Sequence, residues 1–74
     1  MRYAILVGMA RIFAPLQSTA LTSATYDDEA MSLDVAFFDG RTYTYENVPQ
    51  KVFEELRDAR SPGSYFHAYI KNRY

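Results

Sequence analysis

Cysteine is absent from the 74 residues, and tryptophan with it. Without thiols there is no disulfide framework and no thiolate zinc site, and the single histidine, His67, cannot anchor a multi-histidine metal site. Glycine is scarce as well. Gly8, Gly40 and Gly63 are scattered, so no glycine-rich loop is available to cradle a phosphate, and no cofactor is expected. The apolar run from Tyr3 to Ala10, between Arg2 and Arg11, falls far short of the ~20 residues of a membrane helix. It resembles a secretory signal only superficially, since no Ala-x-Ala cleavage site follows it. Charge of one sign is also missing. Eight Lys and Arg against nine Asp and Glu leave a formal charge of −1, which argues against binding nucleic acid by bulk charge alone. Apolar and aromatic side chains are plentiful, at 49% and 16% of the chain, and the aromatic content argues against disorder. The expectation is one small cytoplasmic domain without membrane association, whose apolar side chains must nearly all be buried to leave a few kcal/mol of net stability.

Periodicity divides the chain. Residues 1–15 read as an N-terminal extension: Met9 offers a second possible start, and Tyr3 to Val7 an alternative edge strand. Residues 16–74 read as a single domain. Thr, Ser, Ala and Leu from 18 to 26 suit a short strand with a bulge, with Leu21, Ala24 and Tyr26 facing inward. Leu33, Val35 and Phe37 alternate with Ser32, Asp34 and Ala36 across 32–38, Asp39-Gly40 makes the turn, and 41–46 returns as a strand. At Pro49 the period changes, and Val48, Val52, Phe53, Leu56 and Ala59 fall on one helical face over 49–59. Ser61 as N-cap and Pro62 as first helical residue open a second helix over 62–71. The fold class is therefore α+β: an antiparallel meander of about three strands followed by two short helices packed on one face. Leu33, Val35, Phe37, Val52, Phe53, Leu56, Phe66 and Ile70 are the expected core.

The order Ser18-x-x-Leu21, Tyr26-Asp27, Leu33-x-Val35-x-Phe37, Tyr43-x-Tyr45, Val48-Pro49 and Ser61-x-Gly63-x-Tyr65-Phe66 resembles the KTSC domain family across Leu16 to Tyr74. That family occurs at the C-terminus of some bacterial lysyl-tRNA synthetases and as stand-alone bacterial and phage proteins. His67 stands where the family usually carries Asn. The resemblance implies a module without an assigned activity, with RNA suggested as a ligand by the fused synthetase.

Two features point to a binding surface. A strict two-residue turn at Asp39-Gly40 pairs Ala36 with Tyr43 and Asp34 with Tyr45, leaving Phe38, Tyr43 and Tyr45 as an exposed stacking platform opposite the Leu33, Val35 and Phe37 face. A three-residue loop with a bulge reverses that parity and packs the tyrosines with the core. From Ala59 to Tyr74 the chain carries Arg60, Lys71 and Arg73 and no acid, interleaved with Tyr65, Phe66, Tyr69 and Tyr74, whereas the first forty residues set two arginines against five acids. Basic and aromatic residues alternating on one segment suit phosphate contact with base stacking. The alternative is that the second helix buries Phe66, Tyr69 and Ile70 while cations gather at its C-terminal end, where the helix dipole favours them. His67 shares an i, i+4 edge with Lys71, and no spacing supplies the base-orienting group a serine nucleophile needs, so no catalytic residue is assigned. The acidic run Asp27-Asp28-Glu29 lacks the spacing of a calcium loop and reads as a solvated turn, with no metal site. The expected surface comprises Tyr43, Tyr45, Arg41, Arg60, Lys71, Arg73 and His67. Its expected partner is RNA or another protein, and the chain is expected to be a monomer or homodimer.

Overall fold

The alternation in the first half and the helical period in the second resolve into a single antiparallel sheet followed by two helices. The structure, a computed structural model, describes residues 11–74, and the expectations about a start at Met9 and a strand at Tyr3 to Val7 lie outside the described residues. The elements are β1 (Arg11–Pro15), β2 (Leu21–Asp27), β3 (Ser32–Phe37), β4 (Thr42–Tyr45), α1 (Gln50–Asp58) and α2 (Pro62–Tyr69), and the strands lie in the order β1-β2-β3-β4. Among the described residues the expected meander of about three strands has four. The additional strand is β1, whose Arg11 to Pro15 pair with Asp27 to Ser23. Pro15 cannot donate a ladder hydrogen bond, which suits an edge strand.

Leu21 and Ala24 are three residues apart and would face opposite sides of a regular strand. Both are 1% exposed, and a register shift between Leu21 and Ser23 restores the parity. Tyr26, Leu33 and Val35 complete the inward face of the central strands, joined by Ala14 from β1. The opposite face carries Thr25, Asp34 and Thr44, with the Thr44 hydroxyl donating to Asp34 at 2.7 Å, and it bears no helix.

Pro49 takes the N-cap position of α1 with ψ 147°, so the helix starts one residue later than expected, at Gln50. Ser61 caps α2, its Oγ accepting from the Ser64 N–H at 3.4 Å, and Pro62 follows at the first position, where a missing N–H costs nothing. The two helices bury Phe53, Leu56 and Phe66 together with Ile70. Phe37 and Val52, expected within the core, are half-buried and pack against its rim.

One polar contact lies inside this core. The Tyr26 hydroxyl donates to the Val48 carbonyl at 2.6 Å, and its ring stacks on Phe53 at 5.4 Å with 16° between planes. A central strand is thereby fixed to the segment that launches α1. Val48 is held from the other side as well, its N–H donating to the Met31 carbonyl at 2.8 Å. Burial, with the charges of Asp28 and Asp27 nearby, raises the Tyr26 phenol above its ordinary value, so it stays a donor at neutral pH. Tyr26→Phe keeps the ring and leaves the Val48 carbonyl without its partner. It should cost about 1–3 kcal/mol, read as a lower urea midpoint at unchanged slope.

Candidate functional site

The site is set by how the chain turns between β3 and β4. The Phe37 N–H donates to the Arg41 carbonyl at 2.8 Å and the Gly40 N–H to the Phe37 carbonyl at 3.0 Å, closing a three-residue loop of Phe38, Asp39 and Gly40. Gly40 has φ +91°, a conformation that a Cβ would strain. Asp39 Oδ1 accepts from the Arg41 N–H at 3.0 Å and stabilises the turn. The resulting register pairs Val35 with Tyr43 and Leu33 with Tyr45. Directly opposed residues share a face, so both tyrosines lie on the helix side and the outward platform of the two-residue turn does not form. Phe38 stands in the loop, 65% exposed.

On the helix side Tyr45 meets α2, and Tyr43 meets it through Phe37. Phe66 makes edge-to-face contacts with Phe37 at 5.5 Å and Tyr45 at 5.8 Å, and Phe37 makes another with Tyr43 at 5.4 Å. His67 meets the Phe66 ring at 5.7 Å. Beyond α2 the Lys71 N–H donates to the Phe66 carbonyl at 2.9 Å, holding Lys71 one turn past His67. Together these rings, with His67, Lys71 and Asp39, line a groove of about 250 Å³. Tyr45 is half-buried in it, whereas Tyr43, on the edge strand, is 45% exposed. The Arg41 guanidinium lies across the groove's outer edge, 3.3 Å from the Tyr43 hydroxyl and 3.7 Å from Asp39.

The expected cations separate. Arg60 lines a shallow depression of about 720 Å³ between the β1–β2 loop and the start of α2, with Ser18, Thr19, Ser61 and Ser64. His67 borders both this depression and the aromatic groove. Arg73 lies apart, in a third hollow of about 250 Å³ with Glu55, Tyr65, Tyr69 and Tyr74. There Tyr69 is 53% exposed and packs on Tyr65 at 4.8 Å, in contrast to the alternative that α2 buries it. Among the described residues no hydrogen bond joins the His67 imidazole to a hydroxyl or carboxylate, and no three His, Asp or Glu side chains gather where they could hold a metal ion. Asp27 Oδ1 accepts from the N–H groups of Glu29 and Ala30 at 3.0 and 3.1 Å, so this acid is spent on the β2–β3 turn. No described helix is long and apolar enough to cross a membrane.

The sequence model of the KTSC domain matches residues 17–74. The chain belongs to the KTSC domain family. A KTSC domain protein from Yersinia pestis, solved by crystallography, superposes with a TM-score of 0.80 at 30% identity, covering 86% of this chain and 90% of that one. An uncharacterised protein from Stutzerimonas stutzeri is 41% identical over 59 residues, covering 80% of this chain and 83% of its own length. A lysine–tRNA ligase from Trichormus variabilis is 41% identical over 49 residues, which are 66% of this chain and 9% of the ligase. The domain therefore occurs both as nearly a whole small protein and as a minor part of a large enzyme.

Phe37, read from the sequence only as core, and Phe66, read both as core and as part of the basic-aromatic segment, prove to be the walls of the groove, and Asp39 its acidic rim. The aromatic spacing within Tyr65-Phe66-His67 marks them only once the turn length is known. Burial, and then the nearby Tyr43, raise the Tyr45 phenol. Burial, followed by a hydrogen bond donated to Glu55 at 2.7 Å, raises Tyr65 well above 10.0. A phenol held protonated more firmly when folded contributes in full below its unfolded value, and the contribution is lost as the pH rises from there through the folded value. Stability should thus fall above about pH 10, and Tyr65→Phe should make the fall shallower, measured by urea midpoints across the alkaline range.

Proposed function

We propose that this KTSC domain is a non-catalytic binding module for single-stranded RNA. The observation that carries the reading is the position of His67, which joins the aromatic groove to the hydroxyl-lined depression beside Arg60. Lys71, the aromatic groove, His67 and Arg60 then form one track, with Arg41 at its edge. A base entering the groove stacks against Tyr43 or Tyr45, and the backbone follows the track so that Arg60 and Lys71 meet phosphates. A duplex hides its bases within the stack, so an unpaired strand is the fitting form. The volume, about 250 Å³, suits one flat ring better than a drug-sized ligand, whose pockets start at about 300 Å³. Relatives named as lysine–tRNA ligases support RNA as the class, because enzymes of that name handle one.

Few cations flank the track, so binding is weak and depends on salt. Arg41 is shared with Asp39 at 3.7 Å and reaches a phosphate only by leaving that pair. A protein-interaction role on the same surface is the second reading, favoured by the exposure of Phe38 and Tyr43, at 65% and 45%. Titrating a fluorescent single-stranded RNA oligonucleotide at rising salt separates the two. RNA binding through Arg41, Arg60 and Lys71 predicts log K falling against log salt with a slope of about −2. Tyr43→Ala should weaken it by about 1–3 kcal/mol and Lys71→Ala should flatten the slope, while Arg73→Ala, off the track, leaves both unchanged. Absence of binding at low salt, or an Arg73→Ala loss equal to that of Lys71→Ala, defeats the reading.

A further inference from the structure

The outer edge of β4 is open. The Phe37–Arg41 hydrogen bond and the pairing of Tyr43 with Val35 and Tyr45 with Leu33 make Arg41, Tyr43 and Tyr45 the residues whose main chain bonds to β3. The N–H and C=O groups of Thr42 and Thr44 therefore point away from the sheet, and among the described residues no strand pairs with them. Sheet edges are normally blunted by shortness, proline, lysine, a bulge or an inward charge. The opposite edge among the described residues, β1, has Arg11 and Pro15. By contrast β4 reads Thr42-Tyr43-Thr44-Tyr45, all residues that favour pleated structure, and its length of four residues is the one thing within it that blunts the edge.

We propose that β4 pairs antiparallel with β4 of a second copy of this chain, about a twofold axis that sets Tyr43 opposite Tyr43. In this register Thr42 of each copy lies opposite Thr44 of the other, and the two pairs exchange the outward main-chain hydrogen bonds. Charge favours self-pairing in this sense. An antiparallel partner sets Arg41 opposite Tyr45 of the other copy and keeps the two arginines at opposite ends of the seam, whereas a parallel one stacks Arg41 on Arg41. The Tyr43 rings come together on the helix side as a close, non-hydrogen-bonded pair and cover the 45% of Tyr43 left exposed in a single copy. The two aromatic grooves then flank the seam. This pairing is argued from the strand edge and not from the RNA reading, and where the seam forms it leaves Tyr45 rather than Tyr43 to a stacked base.

A seam of four residues a side is small beside the 1,200–2,000 Å² or so of stable interfaces, so the dimer is weak and forms only at high protein concentration. The absence of native cysteine gives a clean test. Cα atoms of a non-hydrogen-bonded pair lie about 4.5 Å apart, within disulfide reach. With oxidised glutathione, Tyr43→Cys should cross-link about tenfold faster than Tyr69→Cys, an exposed position on α2, because pairing makes the reaction effectively intramolecular. Adding Thr44→Pro, which removes an outward donor and leaves the β3 ladder whole, should bring the rate down to that of Tyr69→Cys while circular dichroism stays native. If that proline unfolds the chain, Thr42→Lys with Thr44→Lys should do the same by setting like charges opposite one another. Tyr43→Cys reacting no faster than Tyr69→Cys overturns self-pairing and leaves the edge to a different partner. An unchanged rate in a folded edge variant overturns it equally.

Discussion

One extra residue in the turn between β3 and β4 decides what this molecule can present to a ligand. With Phe38, Asp39 and Gly40 all in the loop, the return strand is offset by one position, and side chains that a tighter turn would send to the bare face of the sheet go under α2 instead. Gly40, at φ +91°, makes that loop affordable to the backbone, and the Asp39 carboxylate closes it. The aromatic groove follows. Tyr45 and Phe37 approach Phe66 from the sheet while Tyr43 packs on Phe37 from the edge strand, and each contact is edge-to-face, the geometry in which ring quadrupoles attract.

The groove needs a floor that does not move. Phe66 is 3% exposed and Ile70, one turn on, is fully buried, so α2 cannot rotate without exposing both. Its partner α1 is placed by the buried link from Tyr26 to the Val48 carbonyl, with Phe53 stacked on the same ring. A small domain has little apolar area to spare, and a satisfied polar contact within the core adds direction that apolar packing lacks. Tyr26 thus settles where α1 starts, α1 settles α2, and α2 settles which of its residues look toward β4.

Much of this architecture is legible in the residues themselves. Leu33, Val35 and Phe37 alternate cleanly, the spacing of Leu21 and Ala24 demands a bulge, and Ser61-Pro62 announces a helix start. Arg11 to Pro15 is less legible as a strand, because five residues ending in proline carry little pattern and it pairs only through its long partner β2. Turn length escapes the sequence for a sharper reason: Asp-Gly serves both a two-residue turn and the last two positions of a three-residue loop with glycine left-handed. The cations escape it too. Arg60, Lys71 and Arg73 look like one basic segment in the chain, yet one precedes α2 and two follow it, so the helix sends Arg60 and Lys71 to neighbouring depressions and Arg73 to another side.

The register itself is the claim on which the groove, and any ligand for it, rests. In an antiparallel sheet the Hα atoms of a non-hydrogen-bonded pair come close enough for a strong nuclear Overhauser effect. The register seen here predicts that effect between Asp34 and Thr44. A strong Hα contact between Val35 and Thr44 in its place would mean a two-residue turn, tyrosines on the bare face and no groove.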